Sequence, residues 1–165
     1  ELYESPRTAF VANFLGQSNL FPAKVAATEG DTVILEDSDG RFEMPKARVA
    51  DGVNLATGSR VLVGVRPEKI NIGPLDQSAP APSHGNFVDG VVESASFLGV
   101  STQYEVRTGG GDTINVFAQN LDVHGLMPVA SRVRLTWLPL HGFVLDGHED
   151  INAGVEIDPD AVVVS

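Results

Sequence analysis

Residues 61–72 read VLVGVRPEKINI. Val61, Val63 and Val65 fall on one face of an extended chain, as its period of two requires. Pro67 then interrupts, and a proline offers no N–H to a ladder and sits at strand ends, edges and turns. Arg66, Glu68 and Lys69 crowd three charges around it. The stretch is either a reactive cluster or the place where a strand turns.

A second stretch decides between them. SRVLVGVRP (59–67) and SRVRLTWLP (131–139) share Ser, Arg, Val and the final Pro, and their inward faces are Val61/Val63/Val65 and Val133/Leu135/Trp137. GDTVILED (30–37) likewise matches GDTINVFA (111–118) in the same order. Ordered matches at a fixed period point to tandem units, here two. Pro67 and Pro139 then mark one feature twice: a strand ends, and a turn leads to its hairpin partner, INI in the first unit and FVL in the second. Arg66 points away from the valine face, and Glu68 is close enough to pair with it, worth about 0–1 kcal/mol if exposed. The alternative reading makes Arg66 and Glu68 a ligand or partner contact.

The remaining pattern is mostly β. TVILED and RFEM flank Ser38-Asp39-Gly40, a hairpin signal. QYEVR alternates, and Gly109-Gly110-Gly111-Asp112 turns it into TINVF. Short strands separated by Gly/Pro turns at this density predict small barrels or sandwiches. One helix is expected, over SPRTAFVANFLG (5–16). There Ser5 suits the N-cap and Pro6 the first turn, and Phe10, Val11, Phe14 and Leu15 form one apolar stripe. The expected divisions are a helix over 1–16, β units over 17–73 and 86–147, a Pro/Ser-rich connector over 74–85, and an acidic tail over 148–165.

Charge and chemistry exclude more than they assign. The 165 residues carry a formal net charge of −11, with no Lys or Arg after Arg134. Such a surface repels phosphate backbones and argues against nucleic acid as a partner. Cysteine is absent, which removes disulfides and thiol chemistry. No apolar run approaches the roughly 20 residues that span a bilayer, and ELYESPRT lacks the features of a signal peptide. None of Lys24, Lys46 and Lys69 follows a phosphate-cradling loop, and GGGD (109–112) reads as a hairpin turn. His84, His124, His141 and His148 show no metal-ligand spacing, and no nucleophile elbow occurs. No catalytic, cofactor or metal residue is assigned. Trp137 is expected in the core, where Trp→Ala would cost about 3–5 kcal/mol.

ELYESPRTAFVANFLG, then SNLF, VGVRPEKI, FLG, QYEV and VRLTWLPLHGFVL, in that order, resemble the C-terminal regulatory region of bacterial ABC importer ATPases, the transport-associated OB-like domains. The polyamine and ferric-iron type is the most similar. The resemblance implies two OB-like β units in tandem behind an N-terminal helix that leaves an ATPase domain lying outside this sequence. It implies a region without catalysis, whose partners are that ATPase domain, a homodimer partner and the permease complex, on the cytoplasmic side of the membrane. Phe10 and Phe14, with Arg66 and Glu68, are then the expected partner contacts. The competing reading is a small-ligand sensor binding a cation, a polyamine or an oxyanion, the last needing N–H and hydroxyl donors.

Overall fold

The computed structural model describes residues 18–37, 40–75, 85–119 and 126–147. The helix expected over 5–16, with Phe10 and Phe14, lies outside these residues, as do Ser38, Asp39, most of the connector and the tail.

Ten strands run in chain order: β1 (Asn19–Glu29), β2 (Thr32–Asp37), β3 (Gly40–Pro45), β4 (Arg60–Val65), β5 (Asn71–Pro74), β6 (Asn86–Phe97), β7 (Ser101–Thr108), β8 (Thr113–Gln119), β9 (Arg132–Trp137) and β10 (Gly142–Asp146). All belong to one sheet, ordered β10-β4-β1-β2-β3-β6-β7-β8, with β9 between β5 and β6. This overturns the expectation of two small barrels in tandem behind a helix. The chain builds a single, mainly-β, OB-like half-barrel sheet, and its only helical pieces among the described residues are three-residue 3₁₀ turns.

The physical reason lies at the two prolines. Each does end a strand, but neither turn leads to a hairpin partner. After Pro67 the chain crosses over, and β5 pairs with β9 (Asn71↔Thr136, Ile72↔Leu135). After Pro139 it crosses the other way, and β10 pairs with β4 (Val144↔Val63, Leu145↔Leu62). A 3₁₀ turn rises steeply and re-aims the chain, whereas a two-residue hairpin turn would fold it back.

Within the sheet the strand order repeats. β4 lies beside β1 and β9 beside β6, so Val61–Val65 and Val133–Trp137 hold equivalent places. The GDT matches do not: the first opens β2, second in its half, and the other opens β8, third in its half. They mark tight turns. The halves share one core, in which Trp137 of β9 stacks on Phe42 of β3 (5.6 Å between centroids) and meets Phe21 of β1 edge-on (6.2 Å). Val61, Val63, Val65, Val133 and Leu135 are fully buried around them.

A smaller cluster of Ala50, Leu62, Phe143 and Leu145 covers the other face of β4. This strand is therefore buried on both sides, as the near-continuous run VLVGV suits. Gly64 has no side chain because Phe143, its cross-strand partner in β10, lies over it. A Cβ there would overlap the Phe143 ring. Gly64→Ala should accordingly destabilise the protein by about 1–3 kcal/mol, read from the denaturant midpoint. Gly64→Ala with Phe143→Leu should recover part of that loss. An unchanged midpoint in the single variant would contradict the β4–β10 pairing.

Candidate functional site

Two proline corners stand at equivalent places. In the first, Arg66 leaves β4 in extended conformation (φ −76°, ψ 143°) and opens the turn Pro67–Lys69. Leu138 opens the turn Pro139–His141 with nearly the same angles (φ −76°, ψ 145°). Lys69 N–H donates to the Arg66 carbonyl at 3.0 Å, and His141 N–H to the Leu138 carbonyl at 2.9 Å. The first turn packs against β8 and the second against β3, again equivalent strands.

The corners share a backbone and differ in chemistry. At the first, Pro67 is buried, Arg66 half-buried, and Glu68 and Lys69 face solvent. At the second, Leu138 and Leu140 are exposed at the positions corresponding to Arg66 and Glu68. The structure thus places Arg66 and Glu68 on a surface turn. It brings Lys69 near His141 as well, which spacing alone did not indicate. The imidazole is held below its ordinary range, by burial first and then by the charges of Lys69 and Arg48. Arg48 Nε donates to the Gly142 carbonyl at 2.9 Å, tying the segment after β3 to the start of β10. A patch of positive charge results in a strongly acidic chain.

Two buried asparagines at the starts of β1 and β6 make a second equivalent pair. Asn19 Nδ2 donates to the Asn115 carbonyl and its Oδ1 accepts from Asn115 N–H, both at 2.8 Å. One carboxamide thereby substitutes for a peptide group and links β1 to β8. Asn86 Oδ1 accepts from Glu43 N–H at 2.5 Å, linking β6 to β3. No periodicity marks these residues, because the partners lie 96 and 43 residues away.

The glycine loop 109–112 spends its donors on itself. Gly111 N–H donates to the Thr108 carbonyl, Thr108 N–H to the Asp112 carbonyl, and Asp112 N–H to Thr108 Oγ1. An anion needs convergent free N–H groups, so this loop is a turn and not a phosphate cradle. Among the described residues no three His, Cys, Asp or Glu side chains group as metal ligands. On the outer face of β6 and β9, Arg134 forms a two-pronged pair with Asp89 (2.6 and 2.8 Å) over the Phe87 ring, and that hydrogen bond raises its already high pKa.

Comparison with known proteins matches residues 63–145 to the TOBE domain family. The match begins in β4 and ends in β10, two strands that are hydrogen-bonded neighbours. The spermidine/putrescine import ATP-binding protein PotA of Acidothermus cellulolyticus is 36% identical over 147 residues, covering 88% of this chain and 36% of that protein. Its counterpart in Frankia alni is 37% identical over 155 residues, covering 88% and 32%, and that of Thermotoga maritima 30% identical, covering 91% and 40%. The chain spans about a third of the length of these relatives. Among solved structures, the cytoplasmic molybdate-binding protein ModG aligns with a TM-score of 0.61 at 19% identity, over 76% of this chain and 94% of that one. That likeness concerns the fold.

The turn carrying Asp112 yields a pH test. Its carboxyl is held above the ordinary value of 3.8, by burial first and by the Asp37 carboxylate second. Folding raises its proton affinity, so its ionisation costs stability at neutral pH and costs nothing below the unfolded-state pKa. Asp112→Asn should melt higher than the parent at neutral pH, with the gap closing as pH falls toward 3.8. A gap that is constant with pH would contradict the assignment.

Proposed function

We infer the function of this chain from a single premise: it belongs to the TOBE domain family. It is the non-catalytic regulatory and dimerising region of an ABC importer ATPase subunit, and the cargo of the parent transporter is a polyamine. The observation that carries this is the alignment of nearly nine-tenths of the chain with spermidine/putrescine import ATP-binding proteins at 36–37% identity. Its partners are the ATPase portion of the same polypeptide, a second copy and the permease, at the cytoplasmic face of the membrane. Among the described residues no helix is long and apolar enough to cross a bilayer, which accords with peripheral attachment.

In this role Arg66 and Glu68, on the charged corner, contact a partner, and Phe10 and Phe14 face the ATPase portion. The rigidity of the sheet gives the region its use. Its halves are tied through two strand exchanges, so a displacement at one corner moves the whole sheet as one body.

The test has two arms. The isolated chain should neither hydrolyse ATP nor show a melting temperature that tracks ATP. A full-length subunit lacking this region should keep ATPase activity while losing its coupling to spermidine uptake in membrane vesicles. ATP turnover by the isolated chain, or uptake undiminished by the deletion, would overturn the reading.

A further inference from the structure

The internal repeat supplies a control for every surface feature, because each position in one half has a counterpart in the other that serves the same fold. Most counterparts differ little in character. The hairpin tips differ greatly. Beyond its bulge, the first hairpin has three rungs, Ala27↔Ile34, Thr28↔Val33 and Glu29↔Thr32, and its tip is polar: Glu29, Gly30, Asp31. The second has four, Ser94↔Glu105, Ala95↔Tyr104, Ser96↔Gln103 and Phe97↔Thr102. Its tip is Phe97-Leu98-Gly99-Val100, with Gly99 supplying the positive φ (86°) of the turn.

The side chains of this longer tip are not buried. Phe97 is 63% exposed, Leu98 54% and Val100 85%. Phe117, on β8, is opposite Gln103 and also partly exposed. Residues 94–104, SASFLGVSTQY, contain no acidic or basic side chain, and neither does β8. The first half shows that the fold closes a hairpin there without any of these apolar groups. They are not required by the core.

We propose that this uncharged tip, Phe97, Leu98 and Val100 with Phe117 beside it, is the surface through which a second copy of the chain binds. Charge selects the occupant. Two copies of a chain carrying −11 repel one another over most approaches, and they come together at lowest cost through a face without carboxylates. A basic partner would be recognised by carboxylates, which this face lacks. Four side chains form a patch in the usual range of a few hundred Å², below the roughly 800 Å² per partner of a stable interface. The dimer is therefore weak and reversible, and isologous, each tip meeting its twin. The proposal deepens the dimerising part of the reading above and rests on it. The uptake assay given there and the association assay that follows fail independently.

Sedimentation equilibrium of the intact chain at roughly 10–500 μM, at about 50 mM and about 500 mM NaCl, is the test. Association should be present and should tighten with salt, because screening removes the repulsion and no ion pairs are lost. Phe97→Ser/Leu98→Ser should weaken it at least about tenfold with the melting temperature kept within about 2 °C of the parent. Leu138→Ser/Leu140→Ser, at the equally exposed second corner, should leave it unchanged. Hydrogen exchange at residues 97–101 in the parent should slow as concentration rises, which reads the contact without any substitution. A strict monomer at both salts, association weakened by salt, or a dimer indifferent to the tip variant would each overturn the proposal.

Discussion

The exchange of strands after the two prolines is the constraint on which the rest depends. β5 completes the ladder beside β9, and β10 completes the one beside β4. Each half is thus finished by a strand that belongs to the other. The shared aromatic cluster of Phe21, Phe42 and Trp137 follows from this, since β9 is drawn against the first half only when β5 lies along it. So does the glycine at position 64, which leaves room for the Phe143 ring arriving on β10. Hydrogen bonds in such ladders contribute modestly one by one. Their importance here is that they make folding of either half conditional on the other.

A duplicated framework also separates what the fold needs from what it merely carries. The equivalent asparagines Asn19 and Asn86 both link a strand start to a neighbouring strand, and the equivalent prolines both turn the chain. Those are framework. Arg66, Glu68 and Lys69 at one corner against Leu138, Leu140 and His141 at the other are not, and neither is the contrast between Glu29-Gly30-Asp31 and Phe97-Leu98-Gly99-Val100. Differences at positions of equal structural duty are where a regulatory region can recognise its partners, and here they lie on exposed turns held by a rigid sheet.

Much of this was legible in the sequence, with a clear boundary. Alternation in QYEVR and VRLTW, the turn residues between strands and the SRV…P repeat all report local geometry, and they predict the strands and the strand ends correctly. The resemblance of VGVRPEKI and VRLTWLPLHGFVL to importer ATPase regulatory regions agrees with the family match. What failed was pairing. A turn after Pro67 reads the same whether the next strand returns to β4 or crosses to β9, because the partner lies more than sixty residues away and leaves no local trace. The inference of two separable barrels followed from assuming the nearest strand. β1 and β6, the longest strands, were obscured by Pro22 and by Gly90, whose missing Cβ admits the Arg107 carbonyl. The positive patch was equally hidden, since Arg48, Lys69 and His141 are scattered in the chain and meet only when the corners come together.

The absence of cysteine allows the central claim to be tested by paired substitution. Asn71 and Thr136 face one another across β5 and β9, so Asn71→Cys/Thr136→Cys should oxidise to an intrachain disulfide. Closing that long loop should stabilise the protein by about 2–4 kcal/mol. Oxidation of the pair at low protein concentration, followed by mass spectrometry of the linked peptides and thermal melting, reads both. The account predicts a monomeric, cross-linked and more stable protein. A pair that stays reduced, or that destabilises the fold when joined, would mean that β5 does not pair with β9 and that the halves are not exchanged.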